Sequence, residues 1–489
     1  MLIVRTLNKY DCDVLIAGGG PAGSGLAFHL ASQGYKVIVV DAESFPRDKV
    51  CGDGVSPIAL AELQAMGITQ TEKFASTNEI KQVGLFIKND KVIINLSKPD
   101  HLPFHAHIIP RVELDQWIVS AAQKAGATYL ENTRVTGFEI RSGVAIAQLK
   151  QGRKNFTLNA KMIVGADGSR SVVARQLNGK PPDSEFQLVG LRAYYEKVNG
   201  PTDRVDIYFS EESFPGIFWM FPKGPAGANI GMAMVSKTLP TKTADVKQLL
   251  INHIARNKDI RERIGNGQME GKIMGWPITF YNSKTRIIGD RVLLAGDAAG
   301  LINPLSGDGI QYALLSARWA AETISHCLQA NDLSVNGLQS YQRRVNAELG
   351  YDFALSNLLV QFPRNRSLSK LWMTILEVMI ARAKQDPKYA DTIAGIFEGT
   401  YPSYKALNAS FILNSVKQGA TEFSEGFKKA MGQPGGLIAT GLQATESITA
   451  LLSELSTYQK DHIDWMKNTL GKTAKVAAHI ITRMNANGR

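Results

Sequence analysis

The sequence is poor in cysteine, in histidine and in long apolar runs. Its three cysteines, Cys12, Cys51 and Cys327, show no pairing pattern. That excludes a disulfide-stapled scaffold and points to a reducing compartment, so a cytoplasmic chain is expected. No stretch reaches the roughly 18 consecutive apolar residues of a transmembrane helix. The segment Met1–Tyr10 lacks the apolar core of a secretory signal. Zinc-finger spacing and the aromatic signature of RNA-binding domains are also missing, which argues against nucleic acid as a partner. His101, His105 and His107 lie close in sequence, but no cysteine or paired carboxylate joins them at ligand spacing, so no metal is expected. There is no internal repeat and no low-complexity tract.

What is present is a folded chain of 489 residues with 44% hydrophobic and 20% charged residues, long enough for two or three packed lobes. Its net charge of +11 suits an anionic membrane surface, an acidic partner or plain solubility.

The most informative stretch is Val14–Gly23. An apolar strand ends in Gly18–Gly19–Gly20–Pro21–Ala22–Gly23, and a helical pattern follows to about Gln33. Gly18, Gly20 and Gly23 satisfy G-x-G-x-x-G, and a second buried strand, Tyr35–Val40, delivers Asp41 about 20 residues later. Such a turn offers free backbone N–H groups at a helix start to a phosphate, and the acid suits a ribose hydroxyl. Two later junctions repeat the theme. Met162–Gly165 runs into Ala166–Asp167–Gly168, where Asp167 can accept bonds from a cofactor or from loop amides. Val292–Leu294 runs into Gly296–Asp297, followed by a proline–glycine loop and a helix from about Gly309.

Between these junctions the chain alternates apolar and polar residues at 80–109. Short strands read at Val189–Tyr195, Val205–Phe209, Ile217–Phe221 and Ile230–Val235, dense in aromatics. From about residue 335 the pattern is helical. The last helix is amphipathic and basic, with Ile463, Met466 and Leu470 on its apolar side. It suits peripheral contact at the inner face of a membrane or packing on the protein's own body, the latter favoured by its alanine-rich face.

With the three junctions in this order, the chain resembles the FAD-dependent oxidoreductases related to para-hydroxybenzoate hydroxylase. Within them it resembles the geranylgeranyl reductase family. The narrower resemblance rests on Lys49–Val50–Cys51–Gly52, on Arg111 with Asp115, on Gly275–Trp276–Pro277–Ile278, and on Pro215–Pro222, which is similar to an aromatic wall motif ending Trp-x-Phe-Pro. Ile217 stands where that motif usually has tyrosine, and Asp53–Gly54–Val55 replaces a plainer glycine run.

The resemblance implies an α/β protein: a Rossmann-like FAD-binding domain (1–79, 110–180 and 280–330), an antiparallel-sheet substrate domain (80–109 and 181–279) and a helical C-terminal region (331–489). It implies FAD held by Gly18, Gly20, Ala22 and Gly23 at the pyrophosphate, Asp41 at the ribose and Val135 at the adenine. Arg111, Asp167, Asp297, Gly307, Gly309 and Ile310 would also contact the cofactor. Cys51 and Gly52 would lie by the isoalloxazine, with Cys51 a candidate proton relay. Phe214, Ile217, Phe218, Trp219, Phe221 and Trp276 would wall a hydrophobic or lipid substrate. Reduction of isolated carbon–carbon double bonds in an isoprenoid chain is the activity implied, with electrons from NAD(P)H, ferredoxin or a flavin reductase. A flavin-dependent monooxygenase or halogenase is the alternative on the same scaffold.

Overall fold

A computed structural model describes residues 9–98, 100–212, 215–239, 245–402 and 457–487. The chain forms two compact units. One comprises Met1–Thr77, His101–Gln187 and Trp276–Gly350; the other comprises Asn78–Asp100, Leu188–Gly275 and Tyr351–Arg489. The stretch from residue 331 to Gly350 falls in the first unit, and the chain from Tyr351 on falls in the second.

The first unit is built on a sheet of six strands in the order Ile288–Gly289, Val292–Leu294, Lys154–Gly165, Cys12–Ala17, Val37–Val40 and Thr128–Leu130. All neighbours run parallel except the edge pair Ile288–Gly289 with Val292–Leu294. Val14, Leu15 and Ile16 have no solvent exposure, as continuous apolar strands covered on both faces should. The helices Pro21–Ala31 and Ile310–Gln329 pack so closely that a Cβ on Gly25 would come within 3.3 Å of Ala317. An antiparallel extension, Thr133–Arg141 and Val144–Gln151, continues from the long strand Lys154–Gly165.

Register is what matters for function. Ala17 pairs with Gly165, and Gly165 pairs with Leu294. The three glycine–acid junctions of the sequence therefore leave the same edge of the sheet side by side.

The second unit is a seven-stranded sheet in the order Gln268–Thr279, Gln187–Glu196, Gly227–Val235, Gly216–Pro222, Arg204–Phe209, Gln82–Ile87 and Asp90–Asn95. The pairing of Arg204–Phe209 with Gln82–Ile87 is parallel, set among antiparallel neighbours. Val83, Leu85, Ile87 and Ile207 pack with Met373 and Ile380 of the helix Ser369–Gln385 and with Ile393 of the helix Pro387–Glu398. Phe86, Tyr208, Phe218 and Met220 pack with Leu250 and Ile260 of the helices Val246–Arg256 and Lys258–Ile264. The strict two-residue alternation of these strands makes both faces possible.

The last helix, Gln459–Asn487, docks by polar contacts. Trp465 Nε1 donates to the Gln361 carbonyl at 2.9 Å, and Lys472 Nζ donates to Gln361 Oε1 at 2.8 Å. Its apolar row is not what holds it, since Met466 is 50% and Leu470 70% exposed. Among the described residues no helix is long and apolar enough to cross a membrane.

One buried charge cluster ties the second sheet to its helices. Asp206 is fully buried and takes Arg204 Nε at 2.7 Å on one oxygen and the Arg263 guanidinium on the other. Removing the charge from such a pair leaves uncompensated guanidinium, at a cost of about 3–5 kcal/mol. Asp206→Asn is expected to lower unfolding free energy in urea by that amount; a loss under about 1 kcal/mol would mean the arginines find other partners.

Candidate functional site

The first junction is shaped by glycines that nothing else can replace. Gly18 has φ +97°, and a Cβ there would lie 2.3 Å from the Ala166 carbonyl oxygen. A Cβ on Gly23 would lie 1.8 Å from the Gly18 carbonyl oxygen. Gly296, at φ +58°, brings the third junction against the first, since its Cβ would meet that of Ala22 at 2.7 Å. Gly20 is different. Its open side faces Arg47 Nη2 at 3.5 Å and Arg111 Nη2 at 4.0 Å, measured from an added Cβ. Two guanidiniums and the helix start at Pro21 thus converge on one backbone turn, a site for an anion.

The arginines are positioned by carboxylates. Arg111 makes a two-pronged contact with the fully buried Asp115, Nε–Oδ1 at 2.6 Å and Nη2–Oδ2 at 2.8 Å. Their spacing of four residues on the helix Arg111–Lys124 places them on one face. Arg47 Nη1 reaches the same Asp115 at 3.1 Å, and its Nη2 lies 3.7 Å from Asp41. Asp41 also accepts from Gly19 N at 2.7 Å and Glu43 N at 3.0 Å, which fixes the second strand tip to the glycine turn. The Phe45 ring supports the Arg47 guanidinium at 4.9 Å. Tyr129 donates to Ser24, and Ser24 to the Gly19 carbonyl, each at 2.8 Å. Arg47, Ser24 and Tyr129 were not singled out from sequence. Arg47 could have been, as one of two cations in the polar loop after Asp41.

At the second junction, Asp167 turns inward. One oxygen accepts from the Ser171 hydroxyl and the other from Val172 N at 2.7 Å, so the carboxylate caps the helix Val172–Asn178. Of the two roles open to it, the loop-amide role is the one its contacts fill. Burial pushes its pKa up, against the pull of these bonds. Its neighbour Ser169 makes the outward contact: Ser169 Oγ donates to Asp297 Oδ2 at 3.3 Å and accepts from Thr279 N at 3.3 Å.

Asp297 stands at the third junction, beside the loop that starts the helix Ile310–Gln329. Gly309, the cap of that helix, faces Asp297 Oδ1 at 3.4 Å from an added Cβ, and Gly307 has φ +71° with open space before it. Between them Asp308 Oδ2 is buried with no hydrogen-bond partner, and burial pushes this carboxyl up to about 7. Ile310 is buried in the core beside Val55 and Leu60. Val135 is buried in the strand Thr133–Arg141, opposite Leu149.

The loop carrying Cys51 and Gly52 is tied into this cradle. Ser56 Oγ donates to Gln311 Oε1 at 2.6 Å. Asp53, with no exposure and φ +64°, accepts from Arg111 N at 3.3 Å. This accounts for the acid in place of a plainer glycine run: it anchors the start of the arginine helix. Burial pushes the Cys51 thiol up, while burial pulls the Lys49 amine down to about 8.

The expected substrate residues divide. Trp276 belongs to the first unit, where Lys49 lies over its ring at 4.5 Å. Ile217, Phe218, Trp219 and Phe221 belong to the second. On that strand Ile217 and Phe221 pack toward the C-terminal helices, with Trp219 beside Phe221 at 6.1 Å between ring centroids. Phe218 points to the other face, stacked on His253 at 3.6 Å. A strand cannot present consecutive residues to one wall, so Phe218 stands apart from its neighbours. Phe214 lies outside the described residues. His107 is occupied structurally, bonded to Thr77 at 2.7 Å and stacked on Phe74.

Comparison with known proteins agrees with this cradle. Residues 11–347 match the FAD binding domain family. The menaquinone reductase of Mycolicibacterium smegmatis is 30% identical over 319 residues, covering 64% of this chain and 76% of that protein. Digeranylgeranylglycerophospholipid reductase 2 of Methanopyrus kandleri is 27% identical, over 70% of this chain and 84% of that one. A crystal structure of a geranylgeranyl bacteriochlorophyll reductase-like protein from Thermoplasma acidophilum superposes with a TM-score of 0.64 at 21% identity, covering 86% and 98% of the two chains.

The residues present fit FAD. A glycine face between two guanidiniums suits its pyrophosphate, and the acids at the strand tips suit its hydroxyls. Removing one charged donor to a phosphate costs about 1.5–3 kcal/mol, or roughly 10- to 100-fold in affinity. Arg47→Met is expected to weaken FAD binding by that factor in a fluorescence titration of the apoprotein. An unchanged Kd would remove Arg47 from the site.

Proposed function

We propose a reaction for this chain from one premise: it belongs to the FAD binding domain family, shared with menaquinone reductase, and is an FAD-dependent oxidoreductase. The reaction is reduction of isolated carbon–carbon double bonds in an isoprenoid chain carried by a lipid or quinone. Two observations support it together. The relatives at 27–30% identity are named as reductases of menaquinone and of digeranylgeranylglycerophospholipid, compounds with isoprenoid chains. The loop Lys49–Gly52 is bound to the start of the helix Ile310–Gln329 through Ser56 and Gln311, which brings a thiol and an amine to the cradle.

Reduced FAD, when bound, supplies the hydride that one alkene carbon accepts. The protein's part is to bind, orient and keep dry, because an isolated alkene offers no carbonyl to polarise. Arg47 and Arg111 hold the anionic bridge of the cofactor. Asp41 and Asp297 hold its hydroxyls. Gly309 and Ile310 present amides where negative charge is favoured. Cys51, whose pKa burial raises, keeps its proton at neutral pH and is the candidate to relay one to the second alkene carbon. Trp276 supplies apolar surface to a long hydrocarbon. An external donor, a nicotinamide, ferredoxin or flavin reductase, provides two electrons per bond.

Anaerobic incubation of the reduced holoprotein with geranylgeranyl lipids, followed by mass spectrometry, tests the reading. A gain of two hydrogens per bond is expected without oxygen. A gain of oxygen or halogen, seen only aerobically, would replace it with oxygenase or halogenase chemistry. Cys51→Ser is expected to slow turnover at unchanged FAD content, and full activity in that variant would end the relay role.

A further inference from the structure

Lys49, Trp276 and Arg170 form one cluster of cations on an aromatic ring in the first unit. The indole of Trp276 carries two cations, Lys49 Nζ at 4.5 Å and the Arg170 guanidinium at 4.7 Å from the ring centroid. Trp276 Nε1 is buried and has no hydrogen-bond partner, so the side chain is held by its ring. The cluster is fixed to the cradle from two sides. Arg170 follows Ser169, which bonds Asp297 Oδ2 at 3.3 Å and receives Thr279 N at 3.3 Å, three residues beyond Trp276. Lys49 is two residues from Cys51, on the loop that Ser56 and Gln311 join to the start of the helix Ile310–Gln329. The charges that act on Lys49 belong to the same cradle: Asp297 and Cys51 favour its ammonium, and Arg111 and Arg47 oppose it.

We propose that Lys49 is the charge-compensating residue of the bound flavin, holding an ammonium on Trp276 that offsets the negative charge of the two-electron-reduced cofactor. FAD that takes up two electrons and one proton gains one negative charge. Lys49 forms and breaks no bond in that step; its ammonium lowers the energy of the anion through space. The aromatic face helps keep the amine in place, and Asp297 favours its ammonium through space. Arg170 on the same ring remains charged at every working pH.

The sign of the pH dependence follows from burial, which pulls the amine down to about 8. Below that value the ammonium is present and reduced flavin is stabilised. Above it the charge is lost and the potential falls faster with pH than it does in a protein without the amine.

The test is the reduction potential of the FAD-loaded protein, measured anaerobically against reference dyes across neutral and alkaline pH, with Lys49→Met and Lys49→Arg. Near neutral pH, Lys49→Met is expected to lower the equilibrium constant for two-electron reduction about tenfold, a shift of about 30 mV. The wild-type curve should descend to meet the Met variant above about pH 9, whereas Lys49→Arg should stay high because its cation does not titrate there. Equal potentials for wild type and Lys49→Met near neutral pH would overturn the proposal. Should Lys49→Met fail to retain FAD, coincident curves for wild type and Lys49→Arg through the alkaline range would overturn it equally. No substrate enters the measurement, so its outcome is independent of the alkene-reduction reading.

Discussion

Everything at the site depends on the register of three parallel strands. Ala17, Gly165 and Leu294 are cross-strand partners, so three turns distant in sequence leave one sheet edge together. The turns then have to pass within backbone contact of one another. Gly18 against Ala166, Gly23 against Gly18, and Gly296 against Ala22 leave no room for a Cβ. The glycines are thus a packing requirement before they are a binding motif. A slip of one residue between these strands would send every side chain to the opposite face and offset the turns at once.

The same closeness explains the charge pattern. Two arginines beside one turn would repel each other without carboxylates between them. Asp115 takes contacts from both, and Asp41 adds a second anchor to Arg47. Asp53 fixes the backbone at which the Arg111 helix begins. These acids hold the guanidiniums in position while leaving them beside the open side of Gly20. Burial of such groups is tolerable because each is bonded more than once. The preorganisation that a dinucleotide needs is therefore built from residues at 41, 47, 53, 111 and 115, most of which never follow a glycine motif.

What could be read from the sequence was whatever a local period or a fixed spacing encodes. The strand–turn–helix at Val14–Gly23, the acid ending Val37–Val40 and the strand tips at Asp167 and Asp297 are local, and the structure keeps them. The alternation of Val83, Leu85 and Ile87 likewise marked one sheet face. Contacts made across the sheet were not legible. Arg47, Ser169 and Tyr129 gain meaning only when partners up to 128 residues away come within bonding distance, as Ser169 does with Asp297. The aromatic run at Ile217–Phe221 misled for the opposite reason. Its composition suggests one wall, but the strand period sends Phe218 to the far face. The basic last helix suits a membrane surface or the protein's own body by its sequence, and Trp465 and Lys472 bond it to Gln361.

Three titratable groups of the first unit are shifted by one cause. Burial raises Cys51 and Asp308 and lowers Lys49, because in each case it disfavours the charged form. A carboxyl pushed up and an amine pushed down are drawn toward one another in proton affinity, with Asp308 about 7 and Lys49 about 8, while the raised thiol moves away from both. At the glycine end the logic is reversed: the arginines are paired, multiply bonded and permanently charged, which suits a pyrophosphate whose charge never changes. One sheet edge thus carries a fixed electrostatic anchor on one side and a titratable one on the other. The boundary between them falls at Asp297, which touches Ser169 and Gly309 and contributes to the field at Lys49.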